Sequence, residues 1–365
     1  MATKGGVTVV VGGQYGSEGK GNIVSHMAND FDIHVRTGGP NAGHSHQVMG
    51  KVYKQQVIPV GWSNPDAQIV IGRGALVPLG QLVKELVDIY QDDHTIVNRL
   101  FIDEDACELN DTHHEEEGGT SGKLHKRIGS TGEGVGAARQ ARMSRDRDRI
   151  AKMGDASVAG HLQEMLDMQG VHIPVDKLLY RNTPALLARS VKNGSNVLVE
   201  GTQGSGLSLI HGPWPYVTSA DTNAAGFLSE AGISPMLVDN VVLVIRTYPI
   251  RVAGNSGPLS RETTWPTISQ KLGKPVVEKT TVTELVRRVG EWDEVLVRKA
   301  VEINQPTAIA LNFADYLNPA DEGLTDWDAL SDTSKQFVSY LEATFGVPVQ
   351  YIGTGGDTWN VVDRG

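Results

Sequence analysis

VTVVVGGQYGSEGKG, residues 7–21, decides the fold class. Val7–Val11 is an uninterrupted β-branched run of the kind that lies buried on both faces of a parallel sheet, and Gly12 and Gly13 end it. A helix is expected from about Lys20 to Asn29. The glycine-rich segment between them is then a P-loop-like strand-to-helix turn, whose backbone N–H groups and helix dipole suit a phosphate, with Lys20 adding a point charge. The regular G-x-x-x-x-G-K-[ST] spacing would put Gly at 14 and a hydroxyl at 21, where this chain has Gln14 and Gly21. Taken alone, the stretch reads equally well as a tight turn with a solvated lysine.

Working outward, strand-like and helix-like patterns alternate. QIVIG (68–72) precedes Leu79, Leu82, Val83, Leu86, Val87 and Tyr90 at helical spacing. NVLVE (196–200), VVLVI (241–245), a helix over 292–304 leading into TAIAL (307–311), and a helix near 334–345 before VPVQYI continue the pattern. This predicts an α/β doubly wound, mostly parallel sheet with helices on both faces, in one domain over 1–365, with ligands at the carboxyl ends of the strands. The stretch 112–149 lacks apolar periodicity and is expected to form long, mobile functional loops. Trp214 and Tyr216 are expected to be packing residues rather than stacking platforms.

Composition removes several classes of function. A net charge of -10 and a pI near 5.6 argue against direct DNA binding, which needs a dense basic face. The lone Cys107 rules out an intramolecular disulfide and fits a reducing cytoplasm. No export signal and no apolar stretch of roughly 20 residues is present, so no membrane association is expected. In TGGPNAGHSH (37–46), His44 is presented from a turn where it could polarise or protonate an oxyanion, or simply satisfy a loop hydrogen bond. His113, His114, Glu115, Glu116 and Glu117 could bind a metal, but a solvated loop is the better reading without paired ligands elsewhere.

GQYGSEGKG, GGPNAGH, GSTGEGVG (129–136), EGTQG (200–204), HGPWPYVTS (211–219), RRVGEWD (287–293) and GTGGD (353–357) together resemble the adenylosuccinate synthetase family, in order and over nearly the whole chain. The resemblance implies a homodimer, Mg2+, and a ligase that phosphorylates a purine 6-oxygen and then displaces it with L-aspartate. It implies that Gly16, Ser17, Glu18, Gly19, Lys20, Gly21, Gly43, His44, Phe313, Asp315, Gly353 and Gly355 hold the nucleotide donor. The substrate nucleotide would meet Ser17, Asn41, Ser130, Thr131, Gln203, Thr218 and Leu285, with Arg145 reaching the partner's site. Outside that resemblance, the run around Arg145 is a solvated charge run. Thr281, Thr283 and Arg287 would bind aspartate, Ser17 and Gly43 the metal, and Ser17, His44 and Lys20 form the catalytic set.

Three positions depart from the family pattern. Ser17 stands where the family has its catalytic aspartate, which takes the purine N1 proton, and a serine is no general base at neutral pH without help. The smaller side chain leaves room for the 2-amino group of guanine. Leu285 replaces an arginine at the ribose hydroxyl, which suits a deoxynucleotide. In LNFAD (311–315), Phe313 replaces the lysine of the family's GTP-reading sequence while Asp315 remains, which points to adenine and so to ATP or dATP. The three changes together resemble the viral branch of the family, N6-succino-2-amino-2'-deoxyadenylate synthase, which acts on dGMP on the way to DNA carrying 2-aminoadenine. The expected reaction joins dGMP and L-aspartate. The alternatives are an ordinary IMP-using synthetase and a nucleotide-binding protein that has lost turnover.

Overall fold

The computed structural model describes residues 5–279 and 285–365. Its centre is a ten-stranded sheet: β1 (Val7–Gly12), β2 (Ile33–Arg36), β3 (Gln68–Ile71), β4 (Leu100–Asp103), β5 (Leu179–Tyr180), β6 (Val197–Glu200), β7 (Val238–Arg246), β8 (Ala308–Asn312), β9 (Val349–Gly353) and β10 (Val361–Asp363). The order across the sheet is β10-β9-β8-β7-β1-β6-β2-β3-β4-β5. Every pairing is parallel except that of β9 with β10.

β1 lies in the middle, with Val9 level with Val199 on one side and Val241 on the other. Its side chains alternate between two cores. Val7, Val9 and Val11 share one with Ala224, Phe227, Leu228, Val297, Ala300, Val338 and Leu341, from three helices on one face of the sheet. Val10 meets Ile23, Val24 and Met27 on the opposite face. Each fully buried valine contributes about 1.5–3 kcal/mol of apolar transfer, which is why the β-branched run stays a strand. A third cluster packs Leu82, Leu86 and Ile89 of the helix Leu79–Tyr90 against Ile69, Ile71, Leu100 and Ile102.

The expected strands and helices are present, with two corrections. The first helix, α1 (Lys20–His26), is shorter than expected and tightens to a 3-10 turn over Ala28–Asp30. There the Ala28 carbonyl accepts from Asn64 Nδ2 at 3.1 Å and lies 3.0 Å from His34 Nε2, so side chains take an acceptor the helix would use. The stretch 112–149 is mainly helical: Asp111–Glu117, Lys123–Ile128 and Val135–Ser144. Left-handed glycines at 118, 129 and 134 break it into short pieces. Glu117, from the acidic run, caps the third of these helices, accepting from the N–H groups of Gly134 at 3.0 Å and Gly136 at 2.6 Å. Among the described residues no helix is long and apolar enough to cross a membrane.

The parallel strands end on one edge in Gly12, Arg36, Glu200, Arg246, Asn312 and Gly353. The polar members of that row build the site.

Candidate active site

A cavity of about 760 Å³ opens at this edge. Of the residues singled out from the sequence, it is lined by Gly16, Ser17, Gly19, Lys20, Gly21, Asn41, Gly43, His44, Glu117, Ser130, Thr131, Gln203, Trp214, Tyr216, Thr218, Leu285, Arg287 and Phe313. Glu18, Arg145, Asp315, Gly353 and Gly355 do not line it. Thr281 and Thr283 lie outside the described residues.

The loop after β1 needs left-handed backbone at Gly16 (φ 87°), Ser17 (φ 58°) and Gly19 (φ 81°). Serine at such a φ is strained, and the surroundings hold it: Arg246 Nη1 donates to the Ser17 carbonyl at 2.9 Å. Glu18 points inward. Its carboxylate accepts from the N–H groups of Gln14 at 3.1 Å and Gly16 at 2.8 Å, in a cradle where a Cβ on Gly12 or Gly204 would fall within 2.5 Å of it. The Glu18 carboxylate is therefore the loop's internal anion. Lys20 is buried as well, its Nζ 2.7 Å from Glu18 and also bonded to the Gln203 carbonyl. The alternative of a tight turn with a solvated lysine is corrected accordingly: the ammonium is buried between the loop and the segment carrying Gln203, on the cavity wall.

Gly21 is not a lost hydroxyl. A Cβ there would lie 2.5 Å from the Ser45 carbonyl oxygen and 3.1 Å from His44 Cβ. The hairpin of His44–Val48 with Lys51–Gln55 presses on the start of α1, and that contact brings His44 to the phosphate loop.

His44 is held by two residues that motif reading did not assign. Its Nδ1 is 2.5 Å from Glu200 Oε1 and 2.9 Å from Arg36 Nη1. Arg36 is itself paired with Glu200, and the other Glu200 oxygen accepts from the Val60 N–H at 2.8 Å. Burial opposes the Glu200 charge, but Arg36 and the His44 hydrogen bond outweigh it and hold its pKa at about 2. Burial first, then Arg36, lowers the His44 pKa to about 4. With Nδ1–H donating to Glu200, Nε2 is free to act toward the cavity. Arg36 and Glu200 carried a sequence signal: each is a charged residue ending an apolar strand at the sheet's carboxyl edge, as Arg246 is.

Arg287 and Glu278 also line the cavity, 3.7 Å apart. Burial lowers the Arg287 pKa. Phe313 reaches the cavity, yet one face of its ring is covered by the Arg246 guanidinium at 4.0 Å, so a stacked base has only the other face. Asp315 is 6% exposed with Oδ1 lacking a partner, and burial raises its pKa to about 6. A Cβ on Gly353 would fall 2.0 Å from Asn312 Oδ1, so only glycine fits there, and Gly356 rather than Gly355 lines the cavity. Trp214 is corrected too: it is 78% exposed at the cavity rim, not packed. No group of three or more His, Cys, Asp or Glu that could hold a metal exists among the described residues. His113 instead completes a capping box with Asn110.

A glycine loop opening from the central strand of a doubly wound sheet, facing a buried His–Glu–Arg set across one cavity, defines a nucleotide-binding α/β enzyme. The adenylosuccinate synthetase family model matches residues 9–174 and 162–322. An adenylosuccinate synthetase from Methanococcus aeolicus is 38% identical over 98% of both chains. One from Methanocaldococcus jannaschii is 38% identical over 98% of this chain and 96% of its own. The chain belongs to the adenylosuccinate synthetase family and is a carbon–nitrogen ligase of that type. Among solved structures, the fully ligated adenylosuccinate synthetase of Plasmodium falciparum superposes with a TM-score of 0.82 at 22% identity, over 99% of this chain and 100% of that one. The cyanophage S-2L succinoaminodeoxyadenylate synthetase, bound to dGMP and to dATP as an energy donor, superposes with a TM-score of 0.79 at 25% identity, over 98% of this chain and 95% of that one.

Proposed function

We propose that this ligase joins L-aspartate to C6 of dGMP with ATP or dATP as phosphoryl donor, giving N6-succino-2-amino-2'-deoxyadenylate, the nucleoside diphosphate and phosphate. The observation that carries this reading is Ser17. It lines the cavity at the position where the family pattern has a carboxylate, on a backbone pinned by Arg246, and a short hydroxyl side chain there leaves volume beside N1 for a 2-amino group. The cyanophage relative bound to dGMP and dATP supports the same choice of nucleotides. The second reading is the ordinary reaction on IMP. The relatives at 35–38% identity favour it, since they carry the ordinary enzyme's name while the viral one is a structural neighbour at 25%.

In either reading the same cavity lining supports one set of roles. Lys20 and the N–H groups at the start of α1 receive the donor phosphates, a task of positioning and charge stabilisation. His44 is the acid. Burial, then Arg36 and Lys20, depress its pKa; the negative charge of an arriving phosphate works against those effects and favours a proton on Nε2, facing the oxygen that develops charge. Gln203 and Thr218 meet the purine nucleotide with Asn41, Ser130 and Thr131, and Arg287 the aspartate carboxylate.

Gly43 and Ser17 line the cavity and offer a carbonyl and a hydroxyl oxygen, donors that would suit a magnesium ion held chiefly by the triphosphate, since the Glu18 carboxylate is committed to Lys20. Bound there, magnesium would neutralise charge on the transferring phosphoryl group. Arg145 is exposed and away from its own cavity, which supports a role in a partner's site within a homodimer. The continuous sheet from Val7 to Asp363 supports one domain. The test is product analysis by mass spectrometry with dGMP, IMP, aspartate and ATP together. Succinylated 2-aminodeoxyadenylate supports the first reading; adenylosuccinate alone replaces it with the second.

A further inference from the structure

We propose that Glu278 is the receptor for the α-ammonium group of the amino-acid substrate, paired with Arg287 as receptor for a carboxylate. This deepens the ligase reading and rests on it.

Glu278 and Arg287 line the same cavity with opposite charges, Oε2 to Nη1 at 3.7 Å, and the Arg287 N–H donates to the Glu278 carbonyl at 2.9 Å. That separation is too long for a committed hydrogen bond, so the Nη1 end of Arg287, on the cavity wall, keeps a donor for an outside carboxylate. Glu278 is firmly placed by a fork from the fully buried Arg246, whose Nη1 lies 3.1 Å from Oε2 and whose Nη2 bonds Oε1.

The same Nη1 holds the Ser17 carbonyl at 2.9 Å, so Glu278 is one side chain removed from the loop residue that faces the purine. An ammonium anchored on Glu278 would stand beside the ring, and its nitrogen attacks C6 only after giving up a proton, for which the Glu278 carboxylate is the acceptor in contact. The charges agree as well. Two guanidiniums against one carboxylate leave an excess of one positive charge, and an amino acid with two carboxylates and one ammonium carries one negative charge.

The test is calorimetric titration of the full protein, saturated with a non-hydrolysable ATP analogue and whichever of dGMP and IMP binds, using L-aspartate and then succinate, which keeps both carboxylates and lacks the amine. A charge-assisted hydrogen bond predicts that the wild type prefers aspartate by about 10- to 100-fold. Glu278→Gln removes that preference by weakening aspartate while leaving succinate nearly unchanged, and Glu278→Asp retains part of it. Succinate binding to the wild type as tightly as aspartate overturns the proposal, whatever the variants do. So does an equal loss of both ligands in Glu278→Gln, the mark of a residue that merely clamps Arg246. Turnover with an unaltered preference in Glu278→Gln sinks Glu278 alone; an aspartate preference without turnover sinks the ligase reading alone.

Discussion

Replacing Glu200 with glutamine separates holding His44 in place from making it an acid. Arg36 and Glu200 are 2% and 0% exposed, so the variant leaves a buried guanidinium without its counter-charge, at a cost of about 3–5 kcal/mol. An unfolding entropy of about 2.1 cal/mol/K per residue, over 365 residues, turns this into a fall in Tm of about 4–7 °C. The glutamine oxygen can still accept from His44 Nδ1, but it no longer stabilises the imidazolium. The general-acid contribution is then lost, and kcat falls by about 10²–10⁴. Loss of the carboxylate also makes His44 harder to protonate, so the alkaline limb of kcat moves to lower pH. Phosphate release at saturating substrates, together with thermal melts, reads both effects. A lowered Tm with unchanged kcat and an unmoved pH limb would refute the catalytic assignment and leave Glu200 as a folding residue.

Acid should unfold the protein early. His34, His44 and His46 are buried with pKa values lowered to about 4 from 6.5. The unfolded chain takes up protons first, so stability is whole above about pH 6.5 and declines by several kcal/mol as pH falls toward 4; urea midpoints that stay flat over that window contradict this. Gly21→Ser, which restores the hydroxyl of a regular phosphate loop, should lower Tm and kcat, because its Cβ meets the Ser45 carbonyl at 2.5 Å and overpacking costs about 1–3 kcal/mol. A gain in activity would show that the hairpin yields. Ser17→Asp should shift kcat/KM toward IMP by filling the space beside N1, and equal dGMP rates in both proteins would remove that space as the selective feature.

Six strands of the sheet (β1, β3, β6, β7, β8 and β9) were legible as apolar runs, Val7–Val11 most clearly because it is β-branched throughout; β2, with His34 and Arg36 among its four residues, and the two- and three-residue β5 and β10 did not stand out, nor did β4. Residues 112–149 were not legible, because their helices bury alanines (Ala137, Ala138, Ala141) and rely on polar caps from Asn110 and Glu117 rather than an apolar stripe. The glycine loop announced an anion site, yet nothing local tells that Glu18 fills its interior, since the cradle comes from Gly12 and the distant Gly204. Glu278 carried no signal at all: its partner Arg246 is 32 residues away and meets it only through the fold.

The most direct measurement follows the oxygen at C6. With the purine monophosphate labelled with oxygen-18 at that position and supplied with aspartate and ATP, phosphorylation of the 6-oxygen sends the label into inorganic phosphate, one atom for each amination. Label recovered in water, with unlabelled phosphate, would mean that the 6-oxygen is never phosphorylated, and would contradict the roles assigned to Lys20, His44 and the loop between Gly12 and Gly21.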